Sequence, residues 1–144
     1  MLKALRRLAA FCLCITLSLG LITPAAAKAD DAAVIERQAA AFEETKSRLP
    51  ELARLVSNED WTFTRNLIHG PMQEVGREML YINQRLDKSQ RKEAEAIARD
   101  LKAALANLDE AARLQDSSRL QRSYSAVAAG FEAYSEVIPD EALS

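Results

Sequence analysis

Four stretches of this chain repeat apolar or small side chains every three or four positions, and this spacing constrains the fold more than any other feature. Each repeat places one stripe on one face of a helix, whereas a half-buried strand would alternate at every second residue. The stripes are Ile35, Gln38, Phe42, Thr45, Leu49, Leu52 and Val56; Trp61, Thr64, Ile68, Met72, Val75, Met79, Ile82 and Leu86; Ala94, Ile97, Leu101, Ala104, Leu108 and Ala111; and Leu120, Tyr124, Val127, Phe131, Tyr134 and Ile138. Four such helices with short connections predict an all-α fold, an up-down-up-down antiparallel four-helix bundle.

The boundaries of these helices follow from residues that favour helix starts and ends. Serine, asparagine and aspartate side chains accept hydrogen bonds from the free N–H groups of a first turn. Such caps are expected at Ser57 or Asn58, at Asp87, and at Asp116 or Ser117. The predicted bundle covers residues 34–138, with helices over about 34–56, 58–86, 88–114 and 117–138. Residues 28–33 are predicted to be a flexible leader, and residues 139–144 a C-terminal tail.

Two prolines interrupt the helical pattern. Pro50 lies within the first predicted helix, and Pro71 follows Gly70 within the second. A proline lacks the N–H of the helical ladder and disfavours the α conformation in the residue before it. We therefore expect a kink or a break at each proline. The stripe keeps its phase after both prolines, so the topology is not expected to change.

The first 27 residues are typical of an export signal. Lys3, Arg6 and Arg7 form a basic start, an apolar run follows over residues 8–22, and small residues end at Ala27. This order predicts a signal peptide cleaved after Ala27 or Ala29, with an uncleaved membrane anchor as the alternative. The pair Arg6-Arg7 leaves the general and the twin-arginine export routes both open.

Removal of this segment changes the chemistry that is available to the protein. Three of the 19 basic residues and none of the 21 acidic residues lie in it, so the remaining chain has a net charge of −5. That balance argues against a nucleic-acid-binding protein, which needs a basic face. Cys12 and Cys14 also lie in the segment, so the exported domain has no disulfide and no thiolate for catalysis or metal binding.

No set of residues in the exported chain predicts catalysis or a cofactor. His69 is the only histidine and therefore a weak metal candidate, because zinc sites need several convergent ligands. Its ring is expected to hydrogen-bond locally at the Gly70-Pro71 kink. The pairs Glu43-Glu44 and Asp109-Glu110 are adjacent on helices, so their side chains diverge and are expected to be solvated. The sequence therefore indicates a protein that is not an enzyme.

Trp61 and the exposed arginines are the candidates for binding another protein. Trp61 falls on the apolar stripe, which favours core packing, but tryptophan is also enriched at protein interfaces. Arginine is enriched at protein interfaces as well. Arg77 and Arg85 are the partner-binding candidates on the second predicted helix.

One stretch of the second helix resembles a known family. Asp60-Trp61 is followed, after six residues, by Ile68-His69-Gly70-Pro71-Met72, and this combination resembles the cyanobacterial PsbQ-like family, also called CyanoQ. Arg48-Leu49-Pro50-Glu51-Leu52 resembles the family's end of helix one, and Ile138-Pro139 the end of helix four. The similarity spans nearly all of the exported chain. It marks Asp60, Trp61, His69, Gly70 and Pro71 as structural motif residues.

The resemblance implies an extrinsic subunit of photosystem II. Such a subunit stabilises the oxygen-evolving complex and helps to retain calcium and chloride, and it does so by docking without catalysis. The implied partners are the photosystem II core and the other extrinsic lumenal subunits. The implied location is the thylakoid lumen, on the lumenal side of the thylakoid membrane, in peripheral association with it.

One feature departs from the family pattern. Members commonly carry a lipid-modified cysteine directly after the signal, within a motif that requires a small preceding residue. Phe11 precedes Cys12 and Leu13 precedes Cys14, so a bulky residue stands in that place both times. We therefore expect a lumenal form held by protein contacts alone. The alternative to the photosystem role is a periplasmic helical carrier or adaptor that binds a metal or small ligand.

Overall fold

The computed structural model describes residues 24–143, and all the regular structure in that range is helical. Six α-helices and one 3-10 helix are present, and no described residue lies in a strand. The helices are α1 (Pro24–Lys46), α2 (Leu49–Ser57), α3 (Trp61–His69), α4 (Val75–Asn83), α5 (Lys88–Leu114), α6 (Ser117–Ser135) and the 3-10 helix Asp140–Ala142. The all-α prediction is confirmed for this range. Residues 1–23, with Cys12, Cys14 and most of the predicted signal peptide, lie outside the described residues, as does residue 144.

The chain divides into two compact units, residues 1–30 and residues 31–144. In the first unit, residues 24–30 are helical. Residues 28–33, which the sequence predicts to be a flexible leader, also fall within α1, and all six are exposed. The physical reason is their alanine content, since alanine has the highest intrinsic helix propensity.

The first helical segment is divided where Pro50 predicts a break. α1 ends at Lys46, and a turn follows in which the Arg48 N–H donates to the Thr45 carbonyl at 3.1 Å. α2 then begins at Leu49, so Pro50 stands in its first turn. The missing N–H of proline costs nothing there, because first-turn N–H groups have no partner within the helix. The predicted break is confirmed.

The second helical segment is divided at Gly70-Pro71, as predicted. Because Pro71 has no N–H, the Leu67 carbonyl instead accepts a hydrogen bond from the Met72 N–H at 3.1 Å. The chain passes through turns over residues 70–74 before α4 begins. A Cβ atom at Gly70 would lie 2.8 Å from the Asn66 carbonyl oxygen, so the turn requires a residue without a side chain.

The helix caps agree with the sequence only in part. Asp60, rather than Ser57 or Asn58, caps α3, because the left-handed backbone at Glu59 (φ 53°) ends the preceding turn. Asp87 is the residue before α5, although its side chain makes no capping bond. Asp116 caps α6, as predicted, by accepting a hydrogen bond from the Arg119 N–H at 2.9 Å.

Residues further along the first helical segment contact residues nearer the start of the last helix, α6. The Phe42 ring of α1 lies 5.4 Å from the Phe131 ring near the end of α6. Further along the first segment, the Val56 carbonyl of α2 accepts a hydrogen bond from Gln121, near the start of α6, at 3.2 Å. α1 and α2 therefore run antiparallel to α6.

The same opposite order relates α3 and α4 to α5. Arg65 of α3 pairs with Asp109 near the end of α5, whereas Gly76 of α4 lies beside Lys102, nearer the middle of that helix. α5 has its most extensive contact with α6. Each broken segment thus contacts one unbroken helix in antiparallel orientation, α1–α2 with α6 and α3–α4 with α5.

The core contains most of the residues that the four stripes predict, together with six buried residues outside the stripes, namely Ala39, Leu55, Leu67, Ala98, Leu105 and Ala112. Every stripe residue is buried or partly buried, and all six α-helices contribute to one apolar cluster. Phe42, Phe131 and Tyr134 are its largest members, with the Phe42 and Tyr134 rings 4.9 Å apart. Within residues 24–143, no helix combines the length and the apolar character that crossing a bilayer requires.

Candidate functional site

The five motif residues all lie on or next to α3. Asp60 precedes the helix and accepts a hydrogen bond from the Phe63 N–H at 3.2 Å. Trp61 is the first residue of α3, His69 is the last, and Gly70 and Pro71 form the turn that follows. The motif therefore specifies one nine-residue helix together with its start and its end.

Trp61 lies at the edge of the core rather than inside it. Its side chain is partly buried and packs against the apolar cluster, yet it also lines a groove between α3 and α5. The groove has a volume of about 300 Å³. Trp61 thus combines the two roles that the sequence left open, because one part of the indole contacts the core and another lines the groove.

His69 contacts a distant helix and not its local turn, so the expectation of a local hydrogen bond is wrong. Its Nε2 atom lies 2.8 Å from Oδ1 of Asp109, 40 residues further along the chain. The same oxygen accepts a hydrogen bond from Nε of Arg65 at 2.9 Å. Arg65 and His69 are four residues apart, which places both on one face of α3, toward α5.

The Asp109 carboxylate is correspondingly not the solvated group that the sequence predicts, since only 22% of its side chain is exposed. Burial by itself raises the pKa of Asp109. The hydrogen bonds from Arg65 and His69 together outweigh that effect and hold the pKa of Asp109 below its ordinary value of 3.8. The carboxylate therefore stays ionised and ties α3 to α5.

A metal role for His69 finds no support in this arrangement. The ring contacts one carboxylate, and 61% of its side chain is exposed. Throughout residues 24–143, no three or more histidine, cysteine, aspartate or glutamate side chains are grouped so that they would hold a metal ion.

The groove between α3 and α5 is lined by two guanidinium groups and one imidazole ring. Arg65, His69 and Arg113 line it together with Trp61. Arg113 also donates two hydrogen bonds to Glu110, both at 2.7 Å. Neither Asp109 nor Glu110 is among the residues that line the groove. The carboxylates that neutralise these cations therefore do not contribute to its surface.

A second groove lies on the other side of α3, against α2. Its apolar residues include Leu55, Leu67 and Pro71, and its volume is about 510 Å³. Phe63 also lines it and is 60% exposed, the largest exposed fraction among the large apolar side chains described. α3 therefore borders a groove of mixed apolar and polar lining on one side and a groove that contains two arginines on the other.

The two arginines predicted to bind a partner lie outside both grooves. Arg77 is exposed and pairs with Glu74, three residues earlier. Arg85 is only 26% exposed, and its guanidinium lies 3.5 Å from Asp31 and donates to the Tyr81 carbonyl at 3.1 Å. Arg77 is thus the more accessible of the two.

A buried carboxyl group, which no sequence motif indicates, links α1 to α4. Glu78 is 7% exposed, and the Thr45 hydroxyl lies 3.3 Å and 3.4 Å from its two carboxyl oxygens. Burial raises the pKa of Glu78 above its ordinary value of 4.5, more than the Thr45 hydrogen bond lowers it. Nearby, the buried Tyr134 hydroxyl donates to Asn83 at 2.7 Å, and burial raises the pKa of Tyr134.

Sequence reasoning did not single out Arg113 or Glu78, interpreted Asp109 as solvated, and placed Arg65 only among the arginines of which some could contact a partner. The spacing of Arg65 and His69 is a usable signal, because two potential donors four residues apart share a helix face. Nothing in the sequence indicates that Asp109, 40 residues away, is their acceptor.

Comparison with known proteins identifies one family and one similar relative. Residues 6–139 match the sequence model of the PsbQ family, which is described as oxygen evolving enhancer protein 3. The chain is also similar to CyanoQ of Synechocystis sp. strain PCC 6803, with 27% identity over 88 residues. That alignment covers 61% of this chain and 59% of the relative's length. Because the family match covers nearly the whole sequence, the chain belongs to the PsbQ family.

Proposed function

We propose that this protein is an extrinsic subunit of photosystem II that docks on the lumenal side of the complex and stabilises the oxygen-evolving complex. The observation that carries the proposal is the family match over residues 6–139. The helix-start and turn motif around α3 supports it, because the structure gives each motif residue a definite place on that helix. The role is structural, and the protein does not ligate the manganese-calcium cluster.

The proposed architecture is a four-helix bundle in which α1–α2 and α3–α4 each act as one interrupted helix. The contacts described above support this arrangement, because α1–α2 run antiparallel to α6 and α3–α4 run antiparallel to α5. A bundle of this kind suits a docking subunit, because antiparallel helices around one core hold their exposed side chains in fixed positions.

Docking limits the loss of calcium and chloride from the oxygen-evolving complex, according to this proposal. Photosystem II depleted of the protein is expected to lose oxygen evolution in medium poor in either ion. Adding back the purified protein should restore most of that activity. Equal activity with and without the protein at low calcium and low chloride would refute the retention role while leaving the docking role intact.

The docking role is tested by isolation of photosystem II from thylakoids of the source organism. Mass spectrometry of its subunits should identify this chain, and the purified protein should rebind to depleted complexes. Arg77 is the accessible arginine on α4, so Arg77→Glu is expected to weaken rebinding more at low salt, where exposed charges are least screened. Arg85→Glu is expected to act less specifically, because Arg85 already pairs with Asp31.

The proposed route to the lumen is export with cleavage after Ala27 or Ala29, followed by peripheral association through protein contacts. The mature N-terminus, read by mass spectrometry, should be Lys28 or Asp30. A lipid-modified Cys12 or Cys14, or an intact Met1 in the membrane fraction, would contradict this part of the proposal.

A further inference from the structure

We propose that the groove between α3 and α5 binds a carboxylate-bearing segment of a partner protein, with Arg65 and Arg113 contacting the carboxylate and Trp61 packing against the adjoining apolar part. This inference rests on the proposed docking function and assigns it a surface. The residues of this surface are not the arginines that the sequence favours as partner-binding candidates, since Arg77 and Arg85 lie outside the groove.

The charge of the lining defines the chemistry of the occupant. Two guanidinium groups and the His69 ring line the groove, and no acidic side chain does. A carboxylate entering it could accept hydrogen bonds from the guanidinium nitrogens of Arg65 and Arg113 that Asp109 and Glu110 leave free. Hydrogen bonds between guanidinium and carboxylate groups are charge-assisted and thus stronger than neutral ones.

Arg65 and Arg113 still have guanidinium nitrogens that can donate hydrogen bonds to a carboxylate ligand. Arg65 uses its Nε atom for Asp109, and its terminal nitrogens have no hydrogen-bond partner in the described part of the chain. Arg113 is held by Glu110 through Nε and Nη2, which leaves Nη1 available while fixing the guanidinium plane. Because both arginines are already oriented by their own carboxylates, little side-chain entropy is lost when a ligand binds.

Trp61 indicates a protein segment and not a small inorganic anion. Its indole lines a groove of about 300 Å³, a volume that admits one or two side chains in addition to a carboxylate. An inorganic anion would leave the apolar surface of the indole exposed to water. A glutamate or aspartate with its neighbouring backbone would cover that surface, and tryptophan beside arginine is the usual composition of a binding hot spot.

A fluorescence titration of the full-length exported protein tests the chemistry directly. Trp61 is the only tryptophan in the chain, so its emission reports on this groove alone. N-acetylated, C-amidated hexaglutamate is expected to change the emission in a saturable manner, and the effect should weaken as salt is added. The matched hexaglutamine peptide is expected to leave the emission unchanged. An equal response to both peptides, or none to hexaglutamate, would overturn the proposal.

Two charge reversals on α5 provide a matched pair for this titration. Arg113→Glu should weaken hexaglutamate binding about tenfold or more, the effect of losing a hydrogen bond to a charged group. Arg99→Glu makes the same change on the same helix, roughly 21 Å away along its axis, and should bind like the wild type. Both side chains are more than half exposed, so thermal melts should match. Equal weakening by both variants would show a general charge effect and would contradict the assigned groove.

Other anions distinguish the sources of the binding group. Inorganic phosphate and phosphatidylglycerol vesicles are each tested as competitors of hexaglutamate at comparable charge concentration. If either one displaces hexaglutamate, the groove is an anion or lipid site, and a protein segment is refuted as the occupant. Failure of both to compete supports the proposal.

Rebinding to photosystem II separates this inference from the proposed function. If the wild type and Arg99→Glu rebind while Arg113→Glu does not, both stand. If all three rebind equally, the groove assignment fails and the proposed function survives. If the wild type does not rebind although hexaglutamate binds at Trp61, the proposed function fails and the carboxylate-binding groove remains.

Discussion

The two halves of the described chain differ in how their helices are built. α5 and α6 are uninterrupted helices of 27 and 19 residues. The first half is interrupted at Ser47-Arg48 and at residues 70–74, and after α1, which has 23 residues, its three helices have nine residues each. Between α5 and α6, a Cβ at Gly130 would lie 3.0 Å from the Leu101 side chain. The unbroken pair therefore provides a closely packed support.

Two polar contacts between helices lie near the breaks of the first half. Thr45 and Glu78 meet next to the first break, and Arg65 and His69 reach Asp109 just before the second. A helix interior satisfies its own backbone, so specific polar chemistry arises more readily where a helix ends. The groove between α3 and α5 joins both kinds of helix, because Trp61 and Arg65 lie on the short α3 and Arg113 lies on the unbroken α5.

The largest expected effect is on the free energy of unfolding and concerns the core contact between α6 and α1. Phe131→Ala removes a fully buried ring of α6 that contacts Phe42, and it should lower the free energy of unfolding by about 3–5 kcal/mol. Phe63→Ala makes the same change at a side chain that is 60% exposed on α3, and it should change stability by less than about 0.5 kcal/mol. Urea denaturation followed by circular dichroism measures both. Similar losses in the two variants would contradict the assignment of Phe131 to the core and of Phe63 to the surface.

A pair of glycine substitutions tests the second break. Gly70→Ala places a Cβ 2.8 Å from the Asn66 carbonyl oxygen, which is backbone and cannot move aside, so it should cost about 1–3 kcal/mol. Gly76→Ala on α4 meets only the flexible Lys102 side chain at 3.3 Å and should stabilise the helix by roughly 0.5–1 kcal/mol. Thermal melts of both variants give the comparison. A neutral Gly70→Ala would show that the turn does not depend on glycine.

The buried carboxyl of Glu78 should make stability depend on pH. Because its folded pKa lies above the ordinary value of 4.5, folding is favoured at lower pH, and stability falls as pH rises through the folded pKa. Glu78→Gln keeps the size and removes the charge, so it should remove this fall and stabilise the protein by about 1 kcal/mol at pH 7. Urea denaturation between pH 4 and pH 8 measures the effect. A pH dependence identical to the wild type would rule out Glu78 as its source.

Asp109 should show the opposite pH dependence and the smallest effect. Its pKa is lowered in the fold, so its contribution is present above the ordinary value of 3.8 and is lost as pH falls through the folded pKa. Asp109→Asn should cost about 0.5 kcal/mol at neutral pH and reduce the sensitivity to acid. Asp100→Asn, at an exposed position of the same helix, is the control. An equal effect of the two variants would show that the Arg65–His69–Asp109 cluster contributes nothing.

The sequence predicted more of the fold than of the site. Both proline breaks and the cap at Asp116 followed from local rules, because proline geometry and capping act within a few residues. The capping residue of α3 was wrongly assigned to Ser57 or Asn58, since the left-handed backbone at Glu59 is not evident from residue type. The acceptor of His69 was missed because it lies 40 residues away.

The sequence alone determined which residues face the core, because a periodicity of three to four fixes one face of each helix whatever its neighbours are. It also determined the motif that identifies the PsbQ family. Only the tertiary structure decided that Trp61 lines a groove as well as the core, and that Arg65, His69 and Arg113 line it without their carboxylates. The physical reason is that a groove between two helices depends on their relative position, which long-range packing sets and local patterns do not encode.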